Sequence, residues 1–154
     1  MVKHLFALLF EKVDMFDNNS KAIAAGAEMK QWNPVIQRIE VERFETWKWR
    51  DSYDAIFLTW SAGYINDESL SRWLKTASKY LNNSKRKGSK PSSFIYWLDN
   101  IAPEREAEKE NGQWLRPIKT MKSVIHAAGL KIYRQTKPTM LHADYGKVML
   151  MLLY

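Results

Sequence analysis

The chain has 154 residues, 45% apolar and 27% charged, which suits one globular domain with a buried core. It has no Cys, so disulfides, thiolate nucleophiles and Cys-based metal sites are excluded, and His4, His126 and His142 lie too far apart to share a metal by local spacing. The formal charge of +7 favours acidic partners without specifying a fold.

The opening MVKHLFALLF sets a short apolar run behind Lys3. Glu11, Lys12, Asp14 and Asp17 follow at once, with no small-residue cleavage site, so the run reads as a helix over 2–10 and not as a secretory signal. No apolar run reaches membrane-spanning length, and the chain is expected to be soluble and intracellular, cytoplasmic or nuclear. A strand over 12–17 comes next and ends in the turn signal Asp17-Asn18-Asn19-Ser20. An Ala-rich helix over about 20–32 is stopped by Asn33-Pro34. Val35–Phe44 alternates as a strand, and 45–51 is a loop holding Trp47 and Trp49.

Residues 51–66 are the most informative stretch. A polar turn enters the short apolar strand Ala55–Trp60, which breaks at Ser61-Ala62-Gly63-Tyr64 before a new helix. A strand, a sharp exit with an aromatic at its carboxyl end, and then a helix is how an open α/β sheet builds a ligand crevice. Asn66 caps that helix, and Leu70, Trp73, Leu74, Ala77 and Leu81 follow the helical period. The basic segment 84–91 reads as a solvated turn, with phosphate binding or a nuclear signal as the sharper alternative. Phe94–Leu98 is a strand ending in Asp99-Asn100, and 104–112 (EREAEKENG) is a polar loop. A helix over about 114–128 places Leu115, Ile118, Met121 and Ile125 on one face, with Gly129 as its carboxyl cap. Leu130–Gln135 and Val148–Tyr154 close the chain as two strands, the second with so little alternation that both its faces should be covered. Strands alternating with helices predict an α/β sheet in one domain over 1–154.

VDMFD (13–17), DSYDAIFLTW (51–60), Gly63, DESLSRWLK (67–75), Asp99-Asn100 and AAGLKIY (127–133) stand in the order of a known family. Together they resemble the protein α-N-terminal methyltransferases, class I enzymes that use S-adenosylmethionine to methylate the terminal amine of proteins. The resemblance covers nearly the whole chain. It implies a Rossmann-like open sheet with a carboxyl-terminal antiparallel strand pair. It also implies a cofactor-binding set of Asp17 on the ribose, Glu42 near the adenine, and Thr59 and Trp60 at the strand end. Asp17 has a local alternative as a helix cap. The family usually has Gln at the place of Thr59. Trp60, Tyr64 and Asn100 fall where the family binds its peptide substrate, and Asn100 matches the Asn that holds the α-amine. Tyr64 replaces the usual His and is a poor proton acceptor near neutrality. The family's two loop Asp residues, base and orienter, are absent. Glu108, Glu110 or Asn111 fall near their places, and a desolvated Glu there can act as base; a solvated charged loop is the alternative.

The family's glycine-rich turn is also absent, since no G-x-G occurs in the chain. By the resemblance, Met1 falls just after that turn, and the missing strand before it is a central one. The expected form is therefore amino-terminally truncated, with its sheet completed by edge closure, self-association or a partner chain. Three functions are carried forward: methyl transfer to a protein amino terminus, a non-catalytic module of the same fold acting with a partner chain, and nucleic-acid binding, which ranks last for want of a motif.

Overall fold

The computed structural model describes residues 7–82, 92–103, 107–108, 112–137 and 148–154. They fall into two compact units, residues 1–48 and 49–154.

In the first unit a single turn of helix, α1 (Ala7–Leu9), precedes a β-α-β sequence: β1 (Val13–Asp17), α2 (Ser20–Trp32) and β2 (Ile36–Val41). The strands pair in parallel, with Asp17 opposite Val41. Asn19 caps α2 by accepting the Lys21 N–H at 3.0 Å, so the cap lies two residues beyond Asp17. At Gly26 the helix packs on Ile39 of the strand, where a Cβ would make ordinary contact at 3.4 Å. The loop after β2 folds its aromatic residues in. Trp47 is buried, stacks on Phe16 at 4.4 Å, and carries the Arg38 guanidinium 3.8 Å from its ring centre. Arg38 is itself buried, pairs with Glu40, and donates to the Lys48 carbonyl at 2.7 Å.

The second unit is a six-stranded mixed sheet. β3 (Ala55–Thr59) pairs in parallel with β4 (Phe94–Ala102), whose last two residues also pair in parallel with β6 (Trp114–Pro117). β8 (Val148–Leu153) runs antiparallel between β4 and β7 (Ile132–Thr136), and the short β5 (Ala107–Glu108) pairs antiparallel with β6. One face of this sheet is apolar and buried: Ile56 and Leu58, Ile95, Trp97 and Ile101, and Met149, Met151 and Leu153. The buried stripes of α3 (Asp67–Lys79: Leu70, Trp73, Leu74, Ala77) and α4 (Ile118–Ala127: Met121, Val124, Ile125) complete that core. Asn66 caps α3 through a 2.8 Å bond from the Ser69 N–H, and Gly129 ends the α4 segment at φ 78°. On the opposite face, Phe57 stacks on Tyr96 at 4.6 Å and Phe94 meets Tyr133 at 5.2 Å, while Phe57 and Tyr133 keep large exposure.

Several expected boundaries move. Residues 114–117 are strand, not the first turn of a helix, because Pro117 disfavours helical geometry just before it; Leu115 is therefore not part of the α4 stripe. β4 continues through Asp99-Asn100 to Ala102, its polar pair absorbed into pairing with β8. β8 buries one face only, with Leu150 and Leu152 half-buried on the other. Part of the 104–112 segment is strand, and β2 ends at Val41, short of Phe44. Of the expected 2–10 helix, residues 7–10 lie within the described residues and only Ala7–Leu9 are helical, while the 84–91 segment lies outside them.

Candidate active site at the carboxyl ends of the strands

β3 builds the centre of the candidate site. Its apolar residues hold it beside β4, with Thr59 opposite Leu98. The last ladder bond runs from the Trp60 N–H to the Leu98 carbonyl at 2.9 Å, and there the chain leaves the sheet. Trp60 sits at φ 51°, the left-handed region that a bulky residue rarely occupies. It is the only positive-φ residue other than glycine among the described residues. Strain of about 1–3 kcal/mol at such a position persists only where the surroundings enforce it, and it clusters at functional sites.

The turn after Trp60 is short and closely packed. Ala62–Tyr64 make one 3-10 turn, with Ala62 and Gly63 buried and Tyr64 turned outward at 53% exposure. A Cβ on Gly63 would stand 2.4 Å from Gln113 Cγ and 2.8 Å from the Trp114 carbonyl oxygen, so only glycine fits. Arg116 reaches in from β6. It donates to Asp67 Oδ1 at 2.5 Å, to the Ala62 carbonyl at 2.8 Å and to the Ile65 carbonyl. No motif marked Arg116 in the sequence; the available signal was a lone cation between Leu115 and Pro117 in a stretch with apolar neighbours.

Asn100 lies on β4, two residues beyond the Thr59–Leu98 register and on the same face as Leu98, since side chains alternate along a strand. Thr59, Trp60, Tyr64 and Asn100 therefore belong to one end of the second unit. Asp99, on the other face, is a buried carboxylate that accepts the Asn100 N–H at 2.9 Å and the Trp97 indole N–H at 3.4 Å. Those bonds hold the backbone at Asn100 in place.

Asp17 and Glu42 belong to the first unit, at the carboxyl ends of β1 and β2. The Glu42 N–H donates to the Asp17 carbonyl at 3.1 Å, and Glu42 accepts the Thr46 hydroxyl. Asp17 is exposed and accepts the Asn19 N–H through Oδ1 at 2.8 Å. A carboxylate has about four acceptor sites, so this bond leaves capacity for a pair of ribose hydroxyls. The α2 cap itself falls to Asn19. Glu110 and Asn111 lie outside the described residues, and of Glu108 only the backbone, in β5, is described. Among the described residues no cluster of His, Asp or Glu could hold a metal. A shallow groove lined by Lys119, Lys122 and His126 runs along α4 and includes none of these site residues.

Residues 1–152 match the family described as AdoMet dependent proline di-methyltransferase. The chain belongs to this family. S-adenosylmethionine is therefore the cofactor to which the strand-end residues are to be related. A 119-residue stretch is 29% identical to alpha N-terminal protein methyltransferase 1 of Caenorhabditis elegans, covering 75% of this chain and 47% of that protein. A SAM-dependent methyltransferase from Leishmania major superposes with a TM-score of 0.85 at 17% identity, over 99% of this chain and 59% of that one. An O-methyltransferase of Brevibacillus brevis, in complex with S-adenosyl-L-homocysteine, gives 0.73 at 12% identity, over 99% and 62%. The fold is that of the class I methyltransferases, an α/β open mixed sheet with the antiparallel pair β7–β8 at the carboxyl end. The chain spans about half the length of the curated relative it matches.

Proposed function

We propose that the chain carries the acceptor side of an S-adenosylmethionine-dependent methyltransferase acting on the terminal amine of a protein. The observation that carries the reading is the strand-end turn of a family member: Trp60 held at positive φ, with Asn100 on the neighbouring strand. The Caenorhabditis elegans relative, named for α-N-terminal methylation, supports the choice of acceptor. When bound, the cofactor supplies an electrophilic methyl group, which the neutral amine takes in line as the sulfur–carbon bond breaks and sulfur keeps the electron pair. The protein's task is then alignment and deprotonation. In this reading the Asn100 amide oxygen accepts from the amine and points its lone pair forward. Trp60 walls the junction of cofactor and peptide, with Thr59 beside it, and Tyr64 lines the peptide's path. Asp17 holds the ribose and Glu42 lies near the adenine. Glu110 takes the amine proton, directly or through water, with Asn111 as orienter. A cytoplasmic or nuclear location goes with a protein substrate of this kind.

Titration with a free-amine peptide and its acetylated twin tests this reading. Preference for the free amine is expected; equal affinity, or none for either, removes the amine site. The second reading is a non-catalytic module that binds a partner chain, favoured by Tyr64 at the place of the family's usual His. Calorimetry with S-adenosylmethionine separates the two. Nucleic-acid binding draws no support from the aromatic loop, where Trp47 is buried.

A further inference from the structure

We infer that Arg116 is a positioning residue for the acceptor side of the site, clamping the turn that joins Trp60 to Tyr64. Its side chain is 6% exposed, and its three bonds all go to that turn or to its exit into α3. Ala62 opens the 3-10 turn, Ile65 closes it, and Asp67 begins α3. One planar fork from β6 therefore fixes both ends of a segment that β3 alone releases at Trp60.

The clamp answers a mechanical need. The last ladder bond of β3 is made by the Trp60 N–H, so beyond Trp60 the neighbouring β4 no longer holds the chain. Left to itself, a Trp at φ 51° relaxes toward negative φ. Something outside β3 must hold it, and β6 does so twice. Gly63 packs on Gln113 and the Trp114 carbonyl with no room for a methyl group, and Arg116 bonds on either side of it. If the only requirement were stability, an apolar contact would serve better than a desolvated guanidinium. A fork of fixed N–H directions instead supplies orientation, and a lysine has no such fork. Asp67, with 47% side-chain exposure, supplies the counter-charge from the solvent side. The residues thereby set in place are Trp60 and the outward-facing Tyr64.

This role rests on the peptide-acceptor reading above. Its test compares Arg116→Lys and the milder Asp67→Asn with wild type in two measurements: amide hydrogen exchange, and affinity for the free-amine peptide. Both variants should exchange the amides of 61–66 about tenfold faster, leave β4 and β8 unchanged, and bind the peptide about tenfold more weakly. If Arg116→Lys unfolds, Asp67→Asn decides alone. Faster exchange spread evenly over the sheet, or unaltered peptide affinity beside a loosened turn, overturns the role. A wild type that prefers the free amine while the variants keep its affinity sinks the clamp alone; a wild type that binds neither peptide sinks the acceptor reading and the clamp together.

Discussion

Trp60 and Gly63 make opposite demands on the backbone only three residues apart. The Trp occupies a conformation suited to Gly, and the Gly occupies a space too small for anything else. Gly63→Ala should cost about 1–3 kcal/mol, since the new methyl meets a main-chain oxygen that cannot rotate away. Thermal melting of the variant, with peptide titration alongside, checks both halves; an unchanged melting point would mean that β6 can shift aside. At Asp17, the expectation concerns the cofactor. With no G-x-G in the chain, S-adenosylmethionine should bind more weakly than about 1 μM, and Asp17→Ala should remove what binding remains. A calorimetric Kd at or below about 1 μM would overturn the first statement, and an unaltered Kd in the variant the second. That Trp60 ends a strand is legible from Ala55–Thr59 running into Ser61-Ala62-Gly63. The sign of its φ is not, because nothing local calls for it; the turn that follows packs on Gln113 and bonds to Arg116, some fifty residues away.

Among the elements, α3 was the most readable, because amphipathic period, cap and first-turn acids all agree. Leu74 is fully buried there, and an aspartate in its place adds a desolvated charge that costs several kcal/mol against a typical total of about 5–15 kcal/mol. Leu74→Asp should therefore unfold the second unit, as circular dichroism would register; a native melting curve would contradict the packing. The elements at 94–102 and 114–117 were harder. Asp99 looks like the polar end of a strand because burial of a carboxylate is exceptional, and the Trp97 and Asn100 N–H groups help to make it tolerable. Pro117 did announce that the helix starts after it, but Leu115 matched the α4 period by coincidence.

For the whole molecule, the sequence pattern was enough for an α/β open sheet, because strand and helix periods alternate cleanly along the chain. Charge acts at this scale too. If the proposed free-amine peptide is basic, it approaches against a net +7, yet the 104–112 segment concentrates four Glu beside Arg105 and Lys109. If those local acids meet the peptide, raising the ionic strength weakens binding; if the overall field dominates, salt strengthens it. Weakening is expected, and titrations at low and high salt distinguish the two.

β8 lies between β4 and β7. In order of synthesis it comes after both, so the second unit's sheet is made with a hole in it. Until Val148–Leu153 leaves the ribosome, β4 and β7 each present a bare edge, and Ile95 and Trp97 lack the neighbours that bury them. A nascent chain stalled before Val148 thus holds every described helix and no closed core, a form that invites chaperones and aggregation alike. β8 is the keystone, and this unit can mature only after it emerges.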